Sequence, residues 1–468
     1  MLENRTFDEI RVGDTASVTR ALRLDDVETW AAVTGNVNLT YIAHLNHLPG
    51  SLEEAGASGM WGATLLSTLI GMQLPGLGSI TKSFQIEFRH KLAVGTQVTA
   101  TVIVVDKREE TGVVILDCRC ADPAGRELLV ATAEILAPRE KVRQPIQDLP
   151  LVQLRRKDRF RALIERSEAL DPLATAVVHP CSEDALVGAV EAAERNLITP
   201  ILVGPERKIR AIAESAGIDI TPYRLVPAEH SHHAAELAVE LVRCGNAVNL
   251  MKGSLHTDEL LHAILKKGAG LRTERRLSHC FCLAVSTYER PIMLTDAAIN
   301  IAPDLVIKRD ICQNAIELAQ AIGYEQPKVA ILAAVETVDP AMPATIDAAA
   351  LCKMADRGQI TGGIVDGPLA FDNAVDLDAA RTKGIVSPVA GMADILVVPD
   401  LEAGNMLAKQ LTFMADAEAA GLLLGARVPV VLTSRADSAE TRLASCALSV
   451  LMADAQRRGR AMLKAAAE

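Results

Sequence analysis

The sequence DILVVPDLEAGN, residues 394–405, joins a short apolar run to a polar segment that opens with an aspartate. Two other runs have the same form: residues 363–365 (GIV) lead into Asp366-Gly367-Pro368, and residues 428–432 (VPVVL) lead into residues 433–438 (TSRADS). Short apolar runs without alternation are typical of strands buried on both faces, as in a parallel sheet covered by helices. Because ligands bind at the carboxyl ends of such strands, we expect the functional site in these polar segments.

The residue types in these segments suit the binding of an anion. Gly367 and Gly404 let the backbone approach a ligand closely, and the planar guanidinium of Arg435 matches an oxyanion or a phosphate. Three phrases resemble the phosphate acetyltransferase and phosphate butyryltransferase family: residues 366–372 (DGPLAFD), residues 399–409 (PDLEAGNMLAK) and Ser434-Arg435. The resemblance implies an acyltransferase that moves a short acyl group between coenzyme A and inorganic phosphate, in either direction.

Length and composition argue against several classes of protein. The chain has 468 residues, which predicts two to four domains of ~100–200 residues each. A net charge of -11 argues against a nucleic-acid partner, because phosphate backbones are bound by basic surfaces. Nine cysteines, an odd number, and no secretory leader favour a reducing compartment, which we interpret as the cytoplasm. No uncharged segment approaches the ~20 residues that span a bilayer, so we expect no membrane partner.

Residues 1–138 are predicted to form one α+β domain around a buried helix. Residues 60–72 are apolar nearly all round the helix, so another element must wrap them. Residues 84–89 alternate apolar and polar side chains, and further strands are predicted at residues 97–105, 113–120 and 128–136. A long buried helix wrapped by an antiparallel sheet is the hotdog fold.

The same domain carries phrases that resemble the MaoC-type (R)-specific enoyl-CoA hydratases, in residues 58–63 (SGMWGA), 74–76 (LPG) and 88–89 (FR). That family places an Asp and a His in a Gly-Asp-x-Asn-Pro-x-His pattern, where the two side chains share the water that is added. Here residues 35–41 read GNVNLTY, so Asn36 stands for the Asp and Tyr41 for the His. An amide accepts no proton near neutral pH, and the free pKa of tyrosine is ~10.

Asn36, Asn38, Tyr41 and Gly59 are therefore predicted to form a degenerate hydratase site. His44, a few residues further on, could in principle substitute for the missing His. Either this domain binds an acyl-CoA without hydrating it, or it is a structural module.

Residues 139–157 are predicted to be a linker, because prolines and basic residues are frequent there. Residues 158–468 alternate apolar strands with helices, which predicts an α/β fold. The acyltransferase resemblance covers residues 150–468 and implies three layers and two subdomains, with the site in the cleft between them. Residues 291–424 would form the second subdomain.

Two further groups are candidates for substrate contacts. Lys252-Gly253-Ser254 follows the apolar residues 248–251, a strand, glycine turn and helix start that can bind an anion. Acidic residues in the first turn of that helix would repel an anion, so helix capping is the alternative interpretation. Arg381 and Lys383 are plausible phosphate contacts, although charges after a helix are often only solvated. The substrate-binding set is Lys252, Gly253, Ser254, Asp366, Gly367, Arg381, Lys383, Gly404 and Asn405.

The implied reaction must stabilise a developing oxyanion, hold a phosphate and position a thiol. Arg435 is the first candidate for the oxyanion or phosphate, and Ser434 can donate a hydrogen bond or cap a turn. A straight count to the family's aspartate lands on Thr441, while Asp437 and Glu440 are the nearby carboxylates. The predicted catalytic set is Arg435, Ser434 and Asp437, and the general base stays open.

No Gly-x-Gly-x-x-Gly and no Walker pattern is present, so we expect no cofactor, with coenzyme A as a substrate. The histidines at 230, 232 and 233 are interpreted as a helix start and not as a metal site. Alternatives are a bifunctional hydratase and acyltransferase, a non-catalytic acyl-CoA binding protein and, with less support, a dehydrogenase, for which no set of metal-binding aspartates is found. Both resemblances imply a homo-oligomer.

Overall fold

The computed structural model describes residues 1–36, 56–57, 59–145, 159–288, 290–432 and 439–467. The chain divides into two units, Met1–Arg155 and Arg156–Glu468. None of the helices in the described ranges combines the length and apolar character that crossing a bilayer requires.

The N-terminal unit is built on an antiparallel sheet. Its described elements are β1 Leu2–Glu3, β2 Thr15–Ala21, α1 Leu24–Thr34, β3 Gly56–Ala57, α2 Met60–Met72, β4 Ile80–Phe88, β5 Leu92–Ala93, β6 Gln97–Arg108, β7 Val113–Ala121, β8 Glu127–Leu136 and β9 Arg143–Gln144. Five of these strands form a sheet in the order β2-β6-β7-β8-β4, and every neighbouring pair is antiparallel.

Helix α2 lies in the core of this unit, as its apolar sequence predicts. Leu66 and Leu69 are fully buried, and the exposed side of the helix is limited to Ser67, Thr68 and its two ends. The helix lies close to the sheet because Gly62 has no side chain: a Cβ there would lie 2.6 Å from Leu129 Cδ2. Alternate residues of β6 and β7 turn toward the same core. Strand β6 therefore alternates in burial, whereas residues 113–116 of β7 are buried on both faces and the alternation starts only after them.

Part of the segment predicted to be a linker has regular structure. Strand β9 pairs with β1, and the side chain of Asn4 accepts a hydrogen bond from Val142 N at 2.9 Å. Lys141 Nζ also lies 2.8 Å from Glu9 Oε2. Prolines interrupt a strand only where they stand, so the residues between Pro138 and Pro145 remain able to pair.

The C-terminal unit alternates helices and strands. Its described elements are α3 Arg161–Glu168, β10 Leu173–Val178, α4 Glu183–Glu194, β11 Ile198–Gly204, α5 Glu206–Ala216, β12 Arg224–Pro227, α6 Ser231–Arg243, β13 Asn249–Lys252, α7 Thr257–Leu265, β14 Ser278–Ala284, β15 Ile292–Thr295, α8 Leu305–Ile322, β16 Lys328–Leu332, α9 Pro343–Asp356, β17 Ile364–Leu369, α10 Phe371–Val375, α11 Leu377–Thr382, β18 Ile395–Val397, α12 Leu401–Met414, β19 Glu418–Leu424, β20 Val430–Val431 and α13 Ala439–Ala467. Eleven strands form one sheet in the order β12-β11-β10-β13-β20-β19-β14-β15-β18-β16-β17.

This sheet is mixed, which corrects the expectation of a parallel sheet. Strands β12, β11, β10, β13 and β20 run parallel to one another, as do β15, β18, β16 and β17. Antiparallel pairs join β20 to β19, β19 to β14 and β14 to β15, so the two parallel groups run in opposite directions. The polar segments that follow β18 and β20 are therefore at opposite ends of the strands.

The segment Asp366-Gly367-Pro368 was predicted to follow a strand, but it lies inside β17. Strand β17 is at the edge of the sheet, where proline is tolerated because one side of the strand has no partner. Gly367 is needed for close packing, since a Cβ there would lie 2.7 Å from the carbonyl oxygen of Ile331.

Helices cover both faces of the large sheet, but the two faces differ. On one face a single apolar cluster extends across both parallel groups and includes residues of α4, α8, α9 and α13. On the other face there are two separate clusters, one with α6 and α7 and one with α10, α11 and α12. His279 of β14 lies between them, paired across the sheet with Leu423 of the first cluster and packed on Phe281, which contacts the second.

Leu66→Ala is expected to lower the free energy of unfolding of the N-terminal unit by ~2–5 kcal/mol, because it leaves a cavity under a fully buried side chain. The chain's two tryptophans, Trp30 and Trp61, both belong to this unit, so tryptophan fluorescence in urea reports it selectively. Val33→Ala, on α1 with 78% of Val33 exposed, is the control and should change little. Equal midpoints for the two variants would contradict the central role of α2.

Candidate active site

The turn after β15 is organised by the buried carboxylate of Asp296, which is 2% exposed. Its Oδ1 accepts hydrogen bonds from the backbone N–H groups of Ala298 at 3.0 Å and Ile299 at 3.1 Å. Its Oδ2 accepts from Asn300 N at 3.1 Å and from Asn300 Nδ2 at 2.6 Å. A carboxylate held by several donors fixes the backbone around it, so this turn is a rigid part of the unit.

The start of helix α12 packs against that turn. Asp400 caps the helix by accepting a hydrogen bond from Ala403 N at 2.8 Å. Asn405 Nδ2 donates to the carbonyl oxygen of Ala297 at 3.2 Å. A Cβ at Gly404 would lie 2.9 Å from the carbonyl oxygen of Asp296, so the glycine allows the backbone of the Asp296 turn to pack closely against α12. The structure thus brings Gly404 and Asn405, both predicted substrate contacts, to the Asp296 turn.

His279 reaches this turn from the middle of the sheet, and the sequence analysis missed it. Its backbone N donates to Asp296 Oδ1 at 3.3 Å, and its carbonyl oxygen accepts from Thr295 Oγ1 at 2.8 Å. The ring is buried against Phe281, with 4.4 Å between ring centroids. A Cβ at Gly421 would lie 2.8 Å from His279 Cε1 and Nε2, so that glycine makes room for the imidazole. The available signal was a histidine inside an apolar strand, residues 278–284.

Burial lowers the pKa of His279 to about 4. The charge of Asp296 and the nearby backbone of Leu432 oppose that shift. Among the described residues, Nδ1 of this ring has no hydrogen-bond partner. The imidazole is neutral at pH 7.

The described part of the chain stops at Leu432, just before the predicted catalytic residues, and resumes at Ala439. Ser434, Arg435 and Asp437 lie outside the described residues. One row of directly paired residues crosses four neighbouring strands, in the order Val431, Leu422, Cys280 and Thr295. Leu432 and Asp296 are one residue beyond that row in opposite directions, so strand spacing puts them roughly 16 Å apart. His279 lies between them. The chain resumes in α13, where the carbonyl oxygen of Thr441 accepts a hydrogen bond from Ser445 Oγ at 2.8 Å.

The predicted group Lys252, Gly253 and Ser254 is at the end of β13 and packs against the end of β10. Lys252 is 6% exposed. Ser254 Oγ donates to the carbonyl oxygen of His179 at 2.9 Å and accepts from Cys181 N at 3.0 Å. A Cβ at Gly253 would lie 2.5 Å from the carbonyl oxygen of Val178. This group is next to β20 in the sheet and so on the same side of the unit as Leu432.

The remaining predicted contacts are far from that group. Asp366 and Gly367 lie in β17, seven positions from β13 in the sheet, which corresponds to roughly 34 Å at ordinary strand spacing. Lys383 Nζ forms an ion pair with Glu336 Oε2 at 3.0 Å and holds the pKa of Glu336 below its usual range. Arg381 pairs with Asp378 at 3.3 Å, and 69% of its side chain is exposed. The structure does not bring these residues to Lys252.

In the N-terminal unit the predicted hydratase residues are only partly described. Asn36 is exposed after α1, and its backbone N donates to Thr34 Oγ1 at 3.3 Å. Gly59 precedes α2, and a Cβ there would lie 2.3 Å from Phe88 Cδ1. Asn38, Tyr41 and His44 lie outside the described residues.

The histidine cluster begins a helix, as predicted. His230 caps α6, its Nδ1 accepting a hydrogen bond from His233 N at 3.1 Å. Among the residues that the structure describes, no group of three or more His, Cys, Asp or Glu side chains is arranged to hold a metal ion.

Comparison with known proteins identifies the C-terminal unit. Residues 229–450 match the family described as "Phosphate acetyl/butaryl transferase". A phosphate acetyltransferase of Rhizobium meliloti is 61% identical over 299 residues, 64% of this chain and 95% of the relative. A phosphate butyryltransferase of Clostridium acetobutylicum is 42% identical over 294 residues, 63% of this chain and 98% of the relative.

The crystal structure of a branched-chain phosphotransacylase from Enterococcus faecalis V583 is 31% identical, with a TM-score of 0.54, and covers 60% of this chain and 99% of that one. The C-terminal unit therefore has the α/β fold of the phosphotransacylases. The chain belongs to the phosphate acetyl/butyryl transferase family, and it is an acyltransferase of that type.

Gly404→Ala is expected to destabilise the C-terminal unit. Forcing a methyl group against the Asp296 turn costs ~1–3 kcal/mol, which outweighs a gain in helix propensity of up to ~1 kcal/mol. Urea unfolding followed by circular dichroism measures the change. Gly459→Ala in α13, where a Cβ would meet no atom within 4 Å, is the matched control and should be neutral or stabilising. A stabilising effect at both positions would show that the contact at Gly404 relaxes freely.

His279 should make the C-terminal unit less stable as pH falls. Its folded pKa of about 4 is below the ordinary value of 6.5, so the unfolded state takes up a proton first and stability is lost as pH falls below 6.5. Between pH 7 and pH 5 this amounts to about 2 kcal/mol, from 1.36 kcal/mol per pKa unit. Comparing the pH dependence of unfolding for the wild type and His279→Gln isolates the effect. Parallel curves for the two proteins would refute it.

Proposed function

We propose that the C-terminal unit catalyses acyl-CoA + phosphate = acyl phosphate + CoA on short acyl groups. The observation that carries the proposal is the 61% identity to a phosphate acetyltransferase along 95% of that enzyme's length. The 42% identity to a phosphate butyryltransferase supports acyl chains in the same short range. A non-catalytic acyl-CoA binding protein and a bifunctional enzyme are not favoured by these similarities.

In the forward direction a phosphate oxygen attacks the thioester carbonyl carbon, and the C–S bond breaks to release the coenzyme A thiolate. The carbonyl oxygen carries negative charge in between, so a fixed positive group is needed beside it. We assign this role to Arg435, with Ser434 as a hydrogen-bond donor. Asp437 is the candidate that gives a proton to the leaving thiolate, or takes it from the thiol in the reverse direction. Coenzyme A is the substrate, and we propose no separate cofactor. Leu432, which follows β20, stands directly before residues 433–438, and this supports a site at the carboxyl end of β20.

We further propose the finer features that the resemblances imply. The N-terminal unit is a hotdog domain of the MaoC type, supported by its buried helix α2 and antiparallel sheet. Residues 291–424 form the second subdomain of the C-terminal unit, supported by the reversal of strand direction between β14 and β15. The protein acts in the cytoplasm as a homo-oligomer.

The activity is tested by release of free coenzyme A from C2 to C6 acyl-CoA, followed with a thiol reagent with and without phosphate. We expect phosphate-dependent release, and Arg435→Ala should lower kcat by ~10² or more, on the scale of other oxyanion-hole deletions. The matched control is Arg210→Ala on α5, which removes an exposed ion pair with Glu206 and should keep the wild-type rate. No release on any thioester would disprove the activity, and a wild-type rate for Arg435→Ala would make that residue structural.

The N-terminal unit is expected to show little or no enoyl-CoA hydratase activity. Hydration needs one group that takes a proton and one that gives it, and losing each costs ~10² to 10⁴ in rate. Hydration of crotonyl-CoA is followed by loss of the conjugated thioester absorbance, for the wild type and for the double variant Asn36→Asp, Tyr41→His. A gain in the double variant supports the degenerate site. Robust hydration by the wild type would overturn it and direct attention to His44.

A further inference from the structure

We infer that His179 is a further catalytic residue, the group that takes the thiol proton of coenzyme A when acyl-CoA is formed and returns it in the opposite direction. This inference rests on the proposed function, in which Asp437 is the other candidate for the same proton. Three observations carry it: the place of His179 in the sheet, its backbone conformation and the hydrogen bonds of its turn.

His179 directly follows β10, at the carboxyl edge of the parallel group of strands, where ligands bind in folds of this class. The strand register places it near the end of β20. Val178 pairs with Lys252 on β13, and Met251 pairs with Val431 on β20. Because β10 and β20 are two strand spacings apart, His179 is roughly 10 Å from the point at which the chain enters the proposed catalytic segment.

The backbone of His179 is strained. Its φ is 54°, in the left-handed region that side chains disfavour. Among the described residues, Asn196 and Asp416 are the other non-glycine residues with positive φ, and both lie at helix ends, where that conformation is ordinary. His179 instead follows a strand and precedes Pro180, and a residue before proline favours an extended backbone. Glycine would adopt this conformation at lower cost, so a histidine here indicates a function for its side chain.

The turn at His179 is held against the end of β13. The carbonyl oxygen of His179 accepts hydrogen bonds from Ser254 N at 2.9 Å, Ser254 Oγ at 2.9 Å and Cys181 N at 2.7 Å. Glycines on both neighbouring strands make room for this turn. A Cβ at Gly204 would lie 3.4 Å from His179 Cα, and a Cβ at Gly253 would lie 2.6 Å from the His179 carbonyl oxygen. His179 is therefore fixed relative to Gly253 and Ser254, both predicted substrate contacts.

The imidazole of His179 is arranged to accept a proton at Nε2. Its Nδ1 lies 3.4 Å from Ser254 Oγ, and that hydroxyl donates its own proton to the carbonyl oxygen of His179. We therefore assign the ring proton to Nδ1. Among the described residues the ring has no other hydrogen-bond partner, so Nε2 keeps its lone pair.

Charged and titratable side chains lie on every element around this ring. They are Glu183 and Asp184 of α4, Lys208 of α5, His232 of α6, Lys252 of β13, Glu259 of α7 and Cys181 of the same turn. Burial is the main cause that lowers the pKa of His179, the charge of Lys208 adds to the shift, and Glu259 opposes it. The ring is therefore neutral at pH 7. Burial raises the pKa of Cys181, so this neighbour stays a neutral thiol.

A neutral imidazole suits the one substrate group that must lose a proton before it attacks. The free thiol has a pKa of ~8.5 and is mostly protonated at pH 7. In acyl-CoA formation Nε2 takes that proton, the thiolate attacks the carbonyl carbon of the acyl phosphate, and the C–O bond to phosphate breaks. The imidazolium then gives the proton to the departing phosphate, which leaves as hydrogen phosphate. In the opposite direction the proton passes from hydrogen phosphate through Nε2 to the thiolate sulfur.

The test follows acyl-CoA formation from acetyl phosphate and coenzyme A. His179→Asn and His179→Gly both tolerate the left-handed backbone and remove the imidazole. We expect each variant to lose ~10²-fold or more in kcat, as for other general bases, with a urea midpoint close to wild type. The matched control is His230→Asn, which removes an imidazole from the N-cap of α6 and leaves a capping side chain there. It should keep the wild-type rate.

A pH profile and chemical rescue separate the ring from a merely structural role. The wild-type kcat should fall as pH decreases below 6.5, because a protonated Nε2 accepts no proton, and this limb should be absent in His179→Asn. Added imidazole should restore part of the rate of His179→Gly, where it can occupy the space of the missing ring. A limb that persists in His179→Asn and disappears in Asp437→Asn would assign the proton to Asp437 and overturn the inference.

Other outcomes also decide the matter. A wild-type kcat in both His179 variants would show that the ring takes no part in the reaction. Activity that is lost in step with stability, without rescue by imidazole, would make His179 structural. If the wild type transfers no acyl group in either direction, the proposed function fails and the inference fails with it. An active wild type with unaffected His179 variants refutes only the role of His179.

Discussion

Two groups of parallel strands that run in opposite directions can share one sheet only through antiparallel pairs at their junction. Strands β19, β14 and β15 supply these pairs, and the rest of the C-terminal unit depends on them. The junction is fully buried on one face by a single apolar cluster, so the two groups cannot separate without exposing it. On the other face the apolar clusters are separate, and His279 and the Asp296 turn lie at the junction between them.

The sequence carried enough information for the elements but not for the direction of the strands. Apolar runs reveal that residues 394–398 and 428–432 are buried, since burial depends on composition. Whether two such runs are parallel depends on the path of the chain between them, which composition does not report. The expectation of a parallel sheet was therefore wrong, although each apolar run was found. The edge position of β17, which explains Pro368, is hidden for the same reason.

Glycines illustrate a second limit of sequence reasoning. Gly253, Gly367 and Gly404 were all interpreted as places where a ligand approaches the backbone. In the structure each one lies within 3 Å, measured from a Cβ position, of a carbonyl oxygen of the protein itself. A glycine in a sequence indicates only that another group approaches the backbone closely. Whether that group is a ligand or the protein itself is seen only in the packed structure. Glycine-rich motifs of a family can therefore indicate close packing within the fold as well as contact with the substrate.

Buried polar groups give information of the opposite kind. A neutral imidazole with one unsatisfied nitrogen lowers stability, so its place in the core calls for a reason beyond packing. Asp296 differs because its carboxylate is satisfied by neighbouring N–H groups and acts as a structural cap. The fully satisfied group explains why the turn is rigid. His279 is not satisfied in this way, because burial keeps its imidazole neutral and Nδ1 has no hydrogen-bond partner among the described residues, so its ring lowers stability where the Asp296 carboxylate adds to it.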